Sequence, residues 1–158
     1  MTARTITRPT TAPPTGTRGT LLAYGLGALA TAAGLGYALA DQLTLGGLER
    51  HLHALYDPVG KYGEPGPLYG YLYIVGLLGL LCWWGSVRLV RRNAPTARRR
   101  GWIALGASAF PVVAPLVLQE YGQPVIPLSL AAGYLVAWVC GLAGILLLRR
   151  TGAGSKAR

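Results

Sequence analysis

Charge is what this sequence has least of. Asp, Glu, Lys and Arg together make up 13% of its 158 residues, about half the roughly 25% of an ordinary soluble domain, while apolar residues make up 52%. The shortage is uneven, because four long apolar stretches carry no charged residue at all. That pattern excludes a soluble globular domain. It also removes the intramembrane acids and bases on which most membrane chemistry rests.

Cysteine is equally sparse. Cys82 and Cys140 both lie within apolar stretches and form no C-x-x-C pair, so neither can staple an exposed loop. The four-helix membrane thiol oxidoreductases, which need exposed, exchangeable cysteine pairs, are thereby excluded. No phosphate-binding loop, zinc-protease helix or nucleophile elbow occurs. The glycines of the two GLG triplets, Gly25 to Gly27 and Gly34 to Gly36, fall inside an apolar stretch and are packing residues, not a dinucleotide fingerprint. No cofactor and no metal is implied.

What is present is a membrane domain. Residues 21–40 form a run of twenty without charge, about 30 Å as a helix, which matches the hydrocarbon thickness of a bilayer. Three further spans are expected at 68–87, 102–118 and 128–148, ended by charge, proline or polar residues. The fold class is thus an all-α up-down bundle of four transmembrane helices over residues 19–150. It is flanked by a disordered tail, rich in Thr, Pro and Arg, at 1–18 and a short tail at 151–158. A signal-peptide reading with Ala38-Leu39-Ala40 as the cleavage site also fits the N-terminal pattern, but the apolar run exceeds the usual length of about 7 to 15 residues.

Orientation follows from the charges. Thirteen of the fifteen basic residues lie before span one, between spans two and three, or after span four. All five acids, Asp41, Glu49, Asp57, Glu64 and Glu120, lie in the other two connections with only Arg50 and Lys61. The positive-inside rule then makes this a multi-pass protein of the cell membrane with both termini cytoplasmic. A net charge of +10 spread over helix ends is not a nucleic-acid face; the expected partners are membrane lipids, with anionic headgroups on the cytoplasmic side.

Small residues supply the packing signal, since helices in lipid associate by close backbone approach. Gly133, Ala137 and Gly141 lie four apart on span four, with Gly144 a turn further, and Gly27 and Gly34 mark a second stripe on span one. Contacts within one bundle or a homo-oligomer seam would both use them. On span three, Pro111 and Pro115 share a face and predict a kink, with neighbouring groups re-satisfying the freed carbonyls.

The outer loop, 41–67, is the only sizeable soluble segment. Leu45, Leu48, Leu52 and Leu55 recur at helical spacing, with charged residues on the remaining arc, which predicts a short extracytoplasmic amphipathic helix. His51 and His53 are about 200° apart on it and cannot hold one metal from one face. A polar pocket at the outer mouth, built from Asp41, Glu49, His53, Tyr69, Tyr73, Glu120 and Tyr121, is the one specific ligand-binding candidate.

In size and span number the chain resembles the small multidrug-resistance transporters. Those depend on a membrane-embedded Glu in the first span, and residues 21–40 contain none, so no functional residue is carried over. The leading expectation is a non-catalytic accessory or interaction component of the membrane. The alternative is a carrier or binder of a small apolar or amphipathic molecule at the outer mouth, and a membrane enzyme comes third. A carrier requires a pocket between helices, which an accessory protein lacks. An enzyme requires Glu120, Asp41 and a histidine within hydrogen-bond reach.

Overall fold

Helix boundaries in the computed structural model, which describes residues 15–92 and 96–153, follow the apolar runs and the residues that interrupt them. The long helices are α1 (Thr15–Ala40), α3 (Gly66–Arg91), α4 (Ala97–Val117) and α5 (Leu128–Ala153), with the short α2 (Gly47–Tyr56) between the first two. All four long helices are long and apolar enough to cross a membrane. Residues 1–14 and 154–158, most of the two predicted tails, lie outside the described residues.

Each boundary has a local cause. Helix α1 does not stop at Ala40 but continues through one wider, π-type turn, Asp41–Leu45, before Gly46 ends it at φ +59°. A left-handed residue is the common helix terminator and glycine adopts it without penalty. Ala40–Asp41, the possible cleavage point, is therefore internal to a continuous helical segment. Helix α3 begins with Pro67 in its first turn, where a missing N–H costs no hydrogen bond. Between α4 and α5, where a plain loop was expected, Gln119–Glu120 pairs antiparallel with Gln123–Pro124. Tyr121 (φ 52°) and Gly122 (φ 82°) make the turn, the two positive φ values that a two-residue hairpin of type I′ requires.

Two apolar clusters hold the bundle. One gathers Ala38, Leu48, Leu52, Tyr69, Leu72, Val112, Ile126, Leu130 and Tyr134, and the other Tyr24, Val90, Leu105 and Ile145. The first lies at the end carrying the acidic connections, the second at the end bounded by arginines, so we call these the acidic and basic ends.

Helices α1 and α5 pack closest of all pairs. A Cβ placed on Gly133 would sit 2.9 Å from Gly34 Cα and 3.2 Å from the Ala30 carbonyl oxygen, so two backbones touch where Gly34 and Gly133 meet. The other packing glycines admit rings. Gly27 and Gly141 receive the Trp83 indole, and Gly144 receives the Tyr24 ring. Ala137 is buried on the same helix. Each of these small residues is thus covered by the chain's own side chains or backbone.

Pro111 and Pro115 both lie inside α4. Pro115 has no N–H to give the Pro111 carbonyl four residues earlier, and the hydroxyl of Tyr71 on α3 donates to that same carbonyl instead. A neighbouring helix thus supplies the bond that the proline removes.

Candidate functional site

At the acidic end, α2 lies with Leu48, Leu52 and Leu55 buried against the bundle. Asp41 fixes its start. The carboxylate is 2% exposed; Oδ1 accepts from the Gly47 N–H and Oδ2 from the Leu48 N–H, both at 2.9 Å, and Oδ2 also accepts from the Tyr69 hydroxyl at 2.7 Å. A negative group at a helix N-terminus is favoured by the helix dipole and satisfies its orphan N–H groups. Gly47 permits this approach, since a Cβ there would lie 2.5 Å from Asp41 Oδ1.

The remaining candidates fall into separate groups. Tyr73 stacks on Tyr69, centroids 6.5 Å apart, and donates to Gln42. Glu120 accepts from the Tyr56 hydroxyl, while Tyr121 accepts from Lys61 Nζ at 2.9 Å and meets the Tyr56 ring edge-on at 5.9 Å. His53 Nδ1 lies 3.2 Å from Asp57 on the exposed side of α2, beside Tyr62. Glu49 is exposed in the first turn of α2. His51, which the sequence reading set aside, bonds through Nε2 to the Pro124 carbonyl at 2.8 Å. A carbonyl only accepts, so Nε2 carries the hydrogen.

The electrostatics match these pairings. The hydrogen bond to Glu120, with burial and the carboxylate charge adding to it, pushes the Tyr56 phenol up to about 12. The bond to Tyr121 likewise raises the Lys61 ammonium. No three His, Cys, Asp or Glu residues among the described ones come together as metal ligands. Of the seven predicted site residues, Asp41 and Tyr69 anchor α2 to the bundle, Glu120 and Tyr121 tie the hairpin to Tyr56 and Lys61, Tyr73 pairs with Gln42, His53 pairs with Asp57, and Glu49 stays exposed.

An open cleft lies elsewhere, along the long apolar helices. A cleft of about 360 Å³ runs between the four long helices and is bounded chiefly by α3 and α4, the neighbouring pair that packs least. Leu78, Cys82 and Ser86 of α3 face Gly101, Ala104 and Ser108 of α4, with Trp83 and Trp138 behind them. No protein-family model, curated protein or solved structure matches this chain.

Most polar groups of the cleft walls bond back to the protein. Trp83 Nε1 donates to Thr31 Oγ1 at 2.9 Å, and Thr31 donates in turn to the Gly27 carbonyl. Trp138 Nε1 and Ser108 Oγ both donate to the Leu105 carbonyl, and the Tyr134 hydroxyl to that of Leu72. What remains to face an occupant is mostly hydrocarbon and ring surface, with Tyr24 and Ser86 each adding a hydroxyl to the lining at the basic end. The sequence did carry a trace of the cleft: small residues recur every three or four positions on both α3 and α4, although two of them, Gly76 and Gly101, meet Leu35 and Ile145 of neighbouring helices. The same spacing on α1 and α5 marks a closed seam, so periodicity alone does not distinguish a gap from a contact.

Proposed function

We propose that this protein is a multi-pass membrane protein that binds a hydrocarbon chain in the cleft between α3 and α4, without catalysing a reaction. The observation that carries the reading is an apolar cleft most of whose polar lining groups bond back to the protein. A cavity of this size falls in the range of small-molecule sites, and burying an apolar chain in it is favoured by the area removed from less well packed surroundings. The pairing of the outer residues with one another argues against the mouth as the ligand site. A cleft between helices is what distinguishes a binder from a purely accessory component, so we favour binding over the accessory role.

In this proposal the bundle runs up-down in the cell membrane with both termini cytoplasmic, as the distribution of basic residues favours, and α2 lies at the extracytoplasmic interface. Native mass spectrometry after mild detergent extraction tests the reading. The wild-type chain should retain a lipid or another apolar molecule, and the A104L/S108L variant, with two larger side chains directed at the cleft, should lose it. Retention by both proteins, or by neither, would refute the proposal.

A further inference from the structure

The cleft runs toward the arginine-rich end of the bundle, and that juxtaposition says what kind of chain it takes. Its lining reaches Ser86 on α3 and Gly101 on α4, and Arg100 immediately precedes the second. Arg100, Ala104 and Ser108 are four apart, so they follow one line along α4, with Ala104 and Ser108 lining the cleft. Arg88 lies on the other side of α3, about 200° around from Ser86, with its guanidinium 5.3 Å from the Trp84 ring centroid.

These charges have no counter-ion in the fold. Arg88, Arg91, Arg92, Arg98, Arg99 and Arg100 are exposed, and the single side-chain ion contact among the described residues is His53 with Asp57 at the opposite end. Guanidinium groups bind phosphate oxygens by paired hydrogen bonds. An apolar slot that ends under a set of unpaired guanidiniums is complementary to one class of molecule, a lipid with a hydrocarbon chain and an anionic phosphate headgroup.

We infer that the cleft holds one acyl chain of an anionic phospholipid from the leaflet at the basic end, with the headgroup phosphate held by Arg100. This rests on the proposed binding of a hydrocarbon chain and adds the headgroup and the leaflet. It explains why the arginine in line with the cleft wall has no counter-ion among the described residues. The geometry is also consistent in depth. Ser108 follows Arg100 by eight residues, about 12 Å of helix, so a headgroup at Arg100 sets the middle of its chain beside Ser108 and the Trp138 ring, both tied to the Leu105 carbonyl.

Fluorescence quenching by brominated lipid tests both levels. In a W84F/W102F background the remaining indoles are Trp83 and Trp138, both in the cleft wall. The protein is reconstituted in vesicles of phosphatidylcholine containing a fixed minor fraction of either phosphatidylglycerol or phosphatidylcholine brominated at mid-chain. Brominated phosphatidylglycerol should quench more strongly, and R100Q should reduce the preference by roughly five-fold. K61Q, a charge change at the other end, should leave it unaltered. Equal quenching by the two lipids, or a preference unaffected by R100Q, would overturn the anionic headgroup while leaving the hydrocarbon site standing. Failure of either lipid to quench these indoles would overturn both.

Discussion

The seams α1–α5 and α3–α4 use similar residues to opposite ends. Along α1–α5, small residues meet small residues and the backbones close until Gly133 and Gly34 touch. Along α3–α4, Ser86, Gly101, Ala104 and Ser108 line a gap of about 360 Å³. The difference lies in what stands behind the small residues. Trp83 and Trp138 are wedged between the helices and tied by their N–H groups to Thr31 and the Leu105 carbonyl, so the rings act as spacers that α3 and α4 cannot close over. In lipid a helix pair gains little from excluding solvent, and such a gap carries no hydrophobic penalty of the kind it would carry in water.

The largest expected effect sets these seams against each other. Gly133→Leu drives a side chain into the backbone of α1, and overpacking of a rigid contact costs on the order of 3 kcal/mol. Ala104→Leu points into open space and should change stability by less than about 1 kcal/mol. Thermal unfolding in one detergent compares them; if the two variants melt alike, the contrast between a closed and an open seam is wrong.

Next in size is the anchor at the acidic end. Asp41→Asn replaces one acceptor oxygen with a donor facing either a helix N–H or the Tyr69 hydroxyl, a loss of about 1 to 3 kcal/mol for a buried hydrogen-bonded charge. Amide exchange should quicken at Gly47 and Leu48 while the Gly34–Gly133 contact region stays protected. Uniform loss of protection would mean that Asp41 holds the whole bundle and not α2 alone.

The smallest effect is a pH dependence. The Tyr56 phenol, raised from 10.0 to about 12, stays protonated in the folded state after it would ionise in the unfolded one. Its contribution is complete below pH 10 and is lost as pH rises through about 12. In the ultraviolet difference between wild type and Y56F, this phenol should titrate late, and Glu120→Gln should bring it back toward its ordinary value. A transition near 10 in the wild type would show that the pairing with Glu120 does not persist in solution.

Much of the scaffold was legible in the sequence because it depends on local pattern. Span lengths follow from uncharged runs, and close helix approach was expected from small residues at helical intervals, although that spacing did not say which helices meet. The role of Asp41 was not legible. It lies six residues before the amide it caps, with a π-type turn between, outside any local capping pattern. The Tyr71 bond to Pro111 joins residues forty apart, although the need for some such donor was predictable from Pro115. Tyr121 at positive φ carried no signal either, because the usual Asn-Gly or Asp-Gly turn pair is absent. The cleft was hardest to foresee, since a cavity is defined by residues that fail to meet.

The bond between Tyr71 and the Pro111 carbonyl has a mechanical meaning. It fastens α3 to α4 toward the acidic end, and at the basic end the chain itself joins the two helices within the few residues from Arg91 to Ala97. The two helices form a buttonhole, stitched above and below and able to part only along its length. An occupant of the kind proposed would enter such an opening sideways, from the lipid layer, at a pace governed by the fluidity of the surrounding leaflet and not by access to water.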